Sequence, residues 1–381
     1  MVLKIAIVAG EASGDRLGAE LMQAMRQKLA DKVEFEGVGG PLMEAQGMTT
    51  LFPIEALSVM GLGAILRRLP KLLHIRSQLV ERWQTNKPDI FIGIDAPEFN
   101  LSLEQKLKAS GIPVVHYVCP TIWAWRPKRI QLIQRAVDHL LALFPFEVPI
   151  LEKAGVAATC VGHPMVAELK SLPTEAQIRE ELGLAEKPVL AILPGSRATE
   201  VSQLGDMFLR VAHVFQKNQP HWQAIVVAAN GERYEQLQGL FSALPTNIRP
   251  QVKWQLGHSR KVLKVASAAI LASGTASLEA AMLDTPHVAA YRLPRLSYAL
   301  FSRMLQVKQV TLPNLLLETH PVPELLQNEA TVDNLVAALQ NIIAPAVRAK
   351  ISSDFRALWP MLDRGGNELA AEVVIKLMER G

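Results

Sequence analysis

Short strand-like runs, most of them apolar, alternate with helix-spaced segments along most of this chain. One set of runs covers residues 2–9, 33–38, 90–94, 113–118 and 140–144; a second covers 189–193, 224–228, 252–254, 268–272 and 287–290. A strand that is apolar at every position is buried on both faces, and such strands belong to parallel sheets covered by helices. Helical spacing fills the gaps: Leu17, Leu21, Ala24 and Met25 share one face of a helix predicted over 16–28. The alternation predicts an α/β architecture of two doubly wound, Rossmann-like domains facing a cleft, with ligands at the carboxyl ends of the strands. The pattern restarts after Gly162-His163-Pro164, and Ser171-Leu172-Pro173-Thr174 interrupts it. The expected division is 1–168, 169–345 and a C-terminal helical stretch over 346–381.

Two turns in the second half read as one site for a nucleoside diphosphate. Leu193-Pro194-Gly195-Ser196-Arg197 joins a strand to a helix that starts near Thr199, and Ser273-Gly274-Thr275-Ala276-Ser277-Leu278-Glu279 does the same after 268–272. A helix start carries unpaired N–H groups and the positive end of a dipole, so it attracts phosphate. Glycine lets the backbone come close to an anion. Arg197 offers a fork to phosphate oxygens, and Glu279, one turn into its helix, offers a carboxylate to ribose hydroxyls. Either turn alone is most simply a connector; the pair is specific.

Composition narrows the class. The 381 residues fit about two domains, and 49% hydrophobic with 20% charged residues excludes a disordered chain. A formal charge of +4 is too small to indicate nucleic acid. Cys119 and Cys160 lack metal-ligand spacing and fit a reducing compartment. Residues 1–10 read as a buried strand rather than a secretory leader. No apolar stretch reaches the roughly 18–20 residues of a membrane span. A cytoplasmic chain without a nucleic-acid partner is expected. No Asp-x-Asp pair stands like a metal-bridging motif, so no metal is expected either.

Further motifs occur in a fixed order: Gly10-Glu11-Ala12-Ser13-Gly14-Asp15, Gly93-Ile94-Asp95-Ala96-Pro97-Glu98-Phe99-Asn100, Tyr117 through Arg126, Val161-Gly162-His163-Pro164-Met165, the two turns above, and Leu312-Pro313-Asn314-Leu315-Leu316. With them the chain resembles the lipid A disaccharide synthase family over essentially its whole length. The resemblance implies a GT-B type, metal-independent, inverting glycosyltransferase. The implied donor is UDP-2,3-diacylglucosamine and the implied acceptor is 2,3-diacylglucosamine 1-phosphate (lipid X). The implied products are the β-1′,6-linked disaccharide 1-phosphate and UDP. A UDP-N-acetylglucosamine enzyme of the same fold (a murein-lipid transferase or a 2-epimerase) and a non-catalytic nucleotide-sugar module are the alternatives.

The resemblance assigns roles. Asp95 becomes the general base that takes the proton of the attacking hydroxyl; a turn or N-cap aspartate is the plainer reading. Gly195, Ser196, Arg197, Ser273, Gly274, Thr275, Glu279 and Asn314 become the UDP-sugar side. Gly10, Glu11, Ser13 and Gly14 become the acceptor side, although their glycines do not follow G-x-G-x-x-G. Ser13 and Asp15 also suit helix capping alone. The run from Trp123 to Arg129 mixes aromatic and basic residues, which suits indole packing or a lining of the acceptor side. Leu62, Ile65, Leu66, Leu69 and Leu73 share a helical face opposite Arg67, Arg68 and Lys71, and Pro70 is expected to break or bend that helix. The stretch 59–83 is either an ordinary core helix or a patch that touches the anionic inner leaflet. In the resembled family the C-terminal helices return to the first domain, or exchange between subunits of a homodimer.

Overall fold

The computed structural model describes residues 2–30, 32–57, 62–123, 128–293 and 309–379, with the backbone alone over 62–68. The chain forms two compact units, Met1–Pro164 with Met361–Gly381, and Met165–Pro360.

The first unit contains strands β1 (Leu3–Ala9), β2 (Val33–Gly39), β3 (Met48–Pro53), β4 (Ile90–Ile94), β5 (Val114–Tyr117), β6 (His139–Ala142) and β7 (Ala158–Cys160). They lie in the order β3-β2-β1-β4-β5-β6-β7, and every described pairing is parallel. The second unit contains β8 (Val189–Leu193), β9 (Gln223–Ala228), β10 (Val252–Leu256), β11 (Ala268–Ala272), β12 (His287–Tyr291) and β13 (Glu324–Leu326), in the order β10-β9-β8-β11-β12-β13, again parallel. β4, β8 and β11 are buried at every residue, as uninterrupted apolar runs require when helices cover both faces. In each sheet the strand order reverses once, between β1 and β4 and between β8 and β11. Such a reversal opens a crevice at the strands' carboxyl ends, where doubly wound sheets bind ligands.

β3, β7 and β13 are absent from the hydropathy pattern. Each is an edge strand; β7 and β13 have three residues and no fully buried position, and β3 carries two threonines and a proline. The C-terminal boundary also moves, from 345 to Met361. The helix Pro345–Arg356 stays with the second unit because Phe355 stacks on His287, ring centroids 5.7 Å apart, and Ser352 Oγ donates to Asp284 at 2.8 Å. Trp359 Nε1 donates to the Met282 carbonyl at 3.0 Å in the same unit. The first-unit segment begins where the Leu362 carbonyl accepts His163 N–H at 3.0 Å. A Cβ on Gly162 would lie 2.2 Å from that carbonyl oxygen, so only glycine permits the approach. The helix Gly366–Met378 then packs on Ala12–Leu29, with Asn367 bridging Glu20 (2.8 Å) and Tyr117 (3.0 Å).

The helix Leu62–Thr85 runs through Pro70 without a break, against the expectation of two short helices. The missing N–H costs one backbone bond, and Ile75, Leu79 and Trp83 anchor the following turns in the core at 2% exposure or less. The core-helix reading therefore holds for that half. Leu69 and Leu73 are 43% and 45% exposed, and Lys71 is exposed beside them. The side chains of Leu62, Ile65, Leu66, Arg67 and Arg68 lie outside the described residues. No described helix is long and apolar enough to cross a membrane.

Candidate active site

In the first unit, Ala9 of β1 pairs with Ile94 of β4, so the Gly10 turn and Asp95 emerge side by side at the strand reversal. A Cβ on Gly10 would stand 2.8 Å from Ala96 Cβ, which explains the glycine. Asp95 and Ala96 both adopt left-handed conformations, φ 48° and 44°, a costly pair for residues other than glycine. Asn100 holds them. Its Nδ2 donates to the carbonyls of Asp95 at 2.9 Å, Ile94 at 3.3 Å and Val8 at 3.3 Å, tying together the ends of β1 and β4. Asp95 N–H donates to the Tyr117 carbonyl at 2.9 Å. The Asp95 side chain remains half-buried, and Glu11 and Ser13 are exposed beside the same turn.

Gly93, two residues earlier, makes room for a buried ion pair. Its Cβ would lie 2.0 Å from Glu104 Oε1, the atom that contacts His116 Nδ1 at 2.6 Å. Both side chains are fully buried. Burial pushes the imidazole toward its neutral form, but the Glu104 charge and hydrogen bond, with Asp95 behind them, hold its pKa above the ordinary value. Asp15 is structural. Its carboxylate accepts from the N–H groups of Gly40 (2.8 Å), Leu42 (3.1 Å) and Met43 (3.0 Å), capping the helix Pro41–Ala45. Trp123 packs edge-on against Phe146 and donates at 3.2 Å to Glu147, whose carboxyl burial lifts to about 7. Packing thus accounts for Trp123; Trp125 and Arg126 lie outside the described residues.

In the second unit the two glycine turns line one cavity of about 590 Å³. Gly195, Ser196, Arg197, Ser273, Gly274, Thr275 and Glu279 all face it, together with the segment Gly257-His258-Ser259 after β10. The turns are not equivalent. At the first, Glu200 Oε2 accepts from the N–H groups of Ser196 (3.0 Å) and of Arg197 (3.2 Å), the N-cap residue of the helix Ala198–Asn218; this is the glutamate half of a capping box, since a guanidinium has no acceptor to return the bond. Gly195 leaves space for Glu200, since a Cβ there would lie 2.5 Å from its Oε2. Those backbone donors are spent on a side chain, contrary to the expectation that they face phosphate. The Arg197 guanidinium, which donates through Nη1 to Glu200 Oε1 at 3.4 Å while its side chain stays 80% exposed, is what this turn offers. At the second turn no described side chain caps the helix Thr275–Met282, so the N–H groups of Thr275 and Ala276 are open to an anion.

Asn314 does not line this cavity. Its Nδ2 donates to the Val322 carbonyl and Glu324 Oε1, each at 2.8 Å, and its Oδ1 accepts from Val322 N–H at 2.9 Å. Those bonds satisfy donor and acceptor alike, so Asn314 braces the loop after residue 309 instead of offering an amide to a diphosphate. Glu279, 9% exposed, accepts from Arg260 Nε at 2.8 Å. Neither Arg260 nor Glu200 was expected. A glutamate three residues past the N-cap is only half of the capping-box pattern, so the local signal for Glu200 was weak; nothing local marked Arg260. Among the described residues, no three His, Cys, Asp or Glu side chains gather into a metal-holding group.

The family model described as Lipid-A-disaccharide synthetase matches residues 5–374. The chain is 43% identical to the lipid-A-disaccharide synthase of Methylobacillus flagellatus, over 98% of this chain and 99% of the relative. It is 46% identical to that of Pseudomonas fluorescens, over 90% and 89%. Among solved structures it is similar to UDP-GlcNAc 2-epimerase from Neisseria meningitidis bound to UDP-GlcNAc (TM-score 0.62, 11% identity, all of both chains). It is also similar to MurG of Acinetobacter baumannii (TM-score 0.59, 16% identity, 99% of this chain and all of the other). At those identities the likeness is one of fold.

Proposed function

The chain belongs to the lipid-A-disaccharide synthetase family, a glycosyltransferase family of lipid A biosynthesis, and from that premise we propose how its residues divide the reaction. The donor is UDP-2,3-diacylglucosamine and the acceptor is 2,3-diacylglucosamine 1-phosphate. Asp95 takes the proton of the acceptor 6-hydroxyl as that oxygen forms its bond to the anomeric carbon. The bond to the UDP oxygen breaks, the configuration inverts, and UDP leaves with the electron pair. Arg197 and the N–H groups at Gly274 and Thr275 stabilise the growing charge on the diphosphate, without a metal. Glu279 takes the ribose hydroxyls. Glu11 and Ser13 belong to the acceptor's side of the chemistry.

The observation that carries this reading is that both glycine turns, Arg197 and Glu279 line one cavity at a strand reversal. Purified protein given both acylated sugars is expected to release UDP and form the disaccharide phosphate, and to turn over UDP-N-acetylglucosamine far more slowly. Equal rates with the unacylated donor would favour a murein-type or epimerase-type relative. UDP binding without turnover of either donor would favour a sensor.

Acyl-chain substrates reside in the bilayer, and we take the exposed leucines of the helix Leu62–Thr85 as a peripheral contact with the anionic inner leaflet. Each buried leucine is worth roughly 1.5–3 kcal/mol when fully transferred, and each nearby lysine about 1 kcal/mol. Leu69→Ser with Leu73→Ser is expected to reduce co-flotation with anionic vesicles at least about tenfold, with melting unchanged. Undiminished flotation of the folded double variant would remove the patch.

A further inference from the structure

Glu279 is held in an unusual way for a group that must receive a ligand. It is nearly buried, and Arg260 Nε donates to its Oε1 at 2.8 Å. The other end of the same guanidinium, Nη1, pairs with Glu168 from the helix Met165–Lys170. Arg260 is therefore gripped at both ends. It is the second residue of the helix Ser259–Val265 and follows Gly257, His258 and Ser259, which line the cavity. His258 has φ 55°, so the chain enters this helix through a left-handed residue that fixes the direction of Arg260.

We propose that Arg260 is a positioning residue that makes the cavity selective for a ribonucleotide. The proposal rests on the reading that Glu279 takes the ribose hydroxyls. Arg260 acts in two ways. It occupies Oε1, which fixes the carboxylate plane and leaves Oε2 to accept from a hydroxyl; among the described residues Oε2 has no hydrogen-bond partner. It also supplies positive charge beside a carboxylate in a cavity whose ligand is a diphosphate. A bare carboxylate there would repel that ligand and would be costly to bury. Lysine is a point donor and cannot bridge Glu168 and Glu279 with a rigid fork. Glu168 anchors the far end, which stops the guanidinium from swinging onto the diphosphate.

The test is a comparison of UDP with 2′-deoxy-UDP by calorimetry, in the full chain and in Arg260→Gln, Arg260→Lys, Glu279→Gln and the Arg260→Gln/Glu279→Gln double variant. The unmodified chain is expected to prefer UDP by about tenfold, the scale of one hydrogen bond to a charged group. Arg260→Gln is expected to bring that ratio to within about twofold, and Arg260→Lys to an intermediate value. The double variant should discriminate no less than Glu279→Gln alone, because the two residues act as one unit. A merely structural arginine would lower both affinities and keep their ratio. A folded Arg260→Gln or Arg260→Lys that retains the full preference overturns the role of Arg260 while leaving Glu279 on the ribose. Equal binding of the two nucleotides by the unmodified chain overturns the ribose reading itself, and the proposal with it.

Discussion

Asp95→Asn is expected to lower kcat by about 10²–10⁴-fold, the range for loss of a positioned general base. UDP affinity and melting temperature should stay close to those of the unmodified chain. Asparagine is the informative replacement because Asp95 sits at φ 48°, a conformation that Asp and Asn tolerate better than other non-glycine residues. The Asn100 bond reaches the backbone carbonyl of residue 95, not its side chain, so the clamp survives the change. Asp95→Ala should lose as much turnover. It should also destabilise the chain by roughly 1 kcal/mol, since alanine gains nothing in the left-handed region. Steady-state UDP release, calorimetry with UDP and thermal melting separate these effects. Turnover within about tenfold of normal for Asp95→Asn would take Asp95 out of the mechanism, and Glu11 would be the next carboxylate to test as base.

The parallel sheets were legible because a strand covered on both faces has to be apolar throughout. β4, β8 and β11 met that condition at every residue. β3, β7 and β13 did not, because an edge strand is covered on fewer sides and leaves a weaker imprint. The glycine turns were legible for the same local reason: a close approach or a left-handed residue selects glycine wherever it occurs. What escaped was pairing between distant positions. Glu104 reads as a helix-surface charge until Gly93 and His116 are seen to enclose it. Arg260 reads as one more surface cation until its helix meets that of Glu279. Asn314 shows the converse. It stands in a motif with the right residue type, but its amide is consumed by Val322 and Glu324 within its own loop. Residue type predicts what a side chain can bind, and only its neighbours decide whether that capacity is already spent.

The same accounting makes Arg197 the side chain whose loss should most weaken the leaving-group side. Glu200 already satisfies the N–H groups of Ser196 and Arg197, so this turn has little left for an anion besides the guanidinium. The uncapped start of the helix Thr275–Met282 supplies the other donors. As the glycosidic bond breaks, charge grows on the diphosphate, and a donor aimed at growing charge acts on kcat more than on ground-state binding. Arg197→Ala is expected to lower kcat by about 10²–10³-fold, the cost of removing one such donor. UDP affinity should fall by a smaller factor. Arg197→Lys should recover part of the loss, since it keeps the charge and gives up the fork. The alternative is that the diphosphate displaces Glu200 and takes the backbone N–H groups itself. Then Glu200→Ala would bind UDP more tightly than the unmodified chain, and Arg197→Ala would retain most of its turnover. If Glu200 instead holds the turn so that Arg197 projects into the cavity, Glu200→Ala should lose turnover in the same direction as Arg197→Ala. The double variant should then be little worse than Arg197→Ala alone.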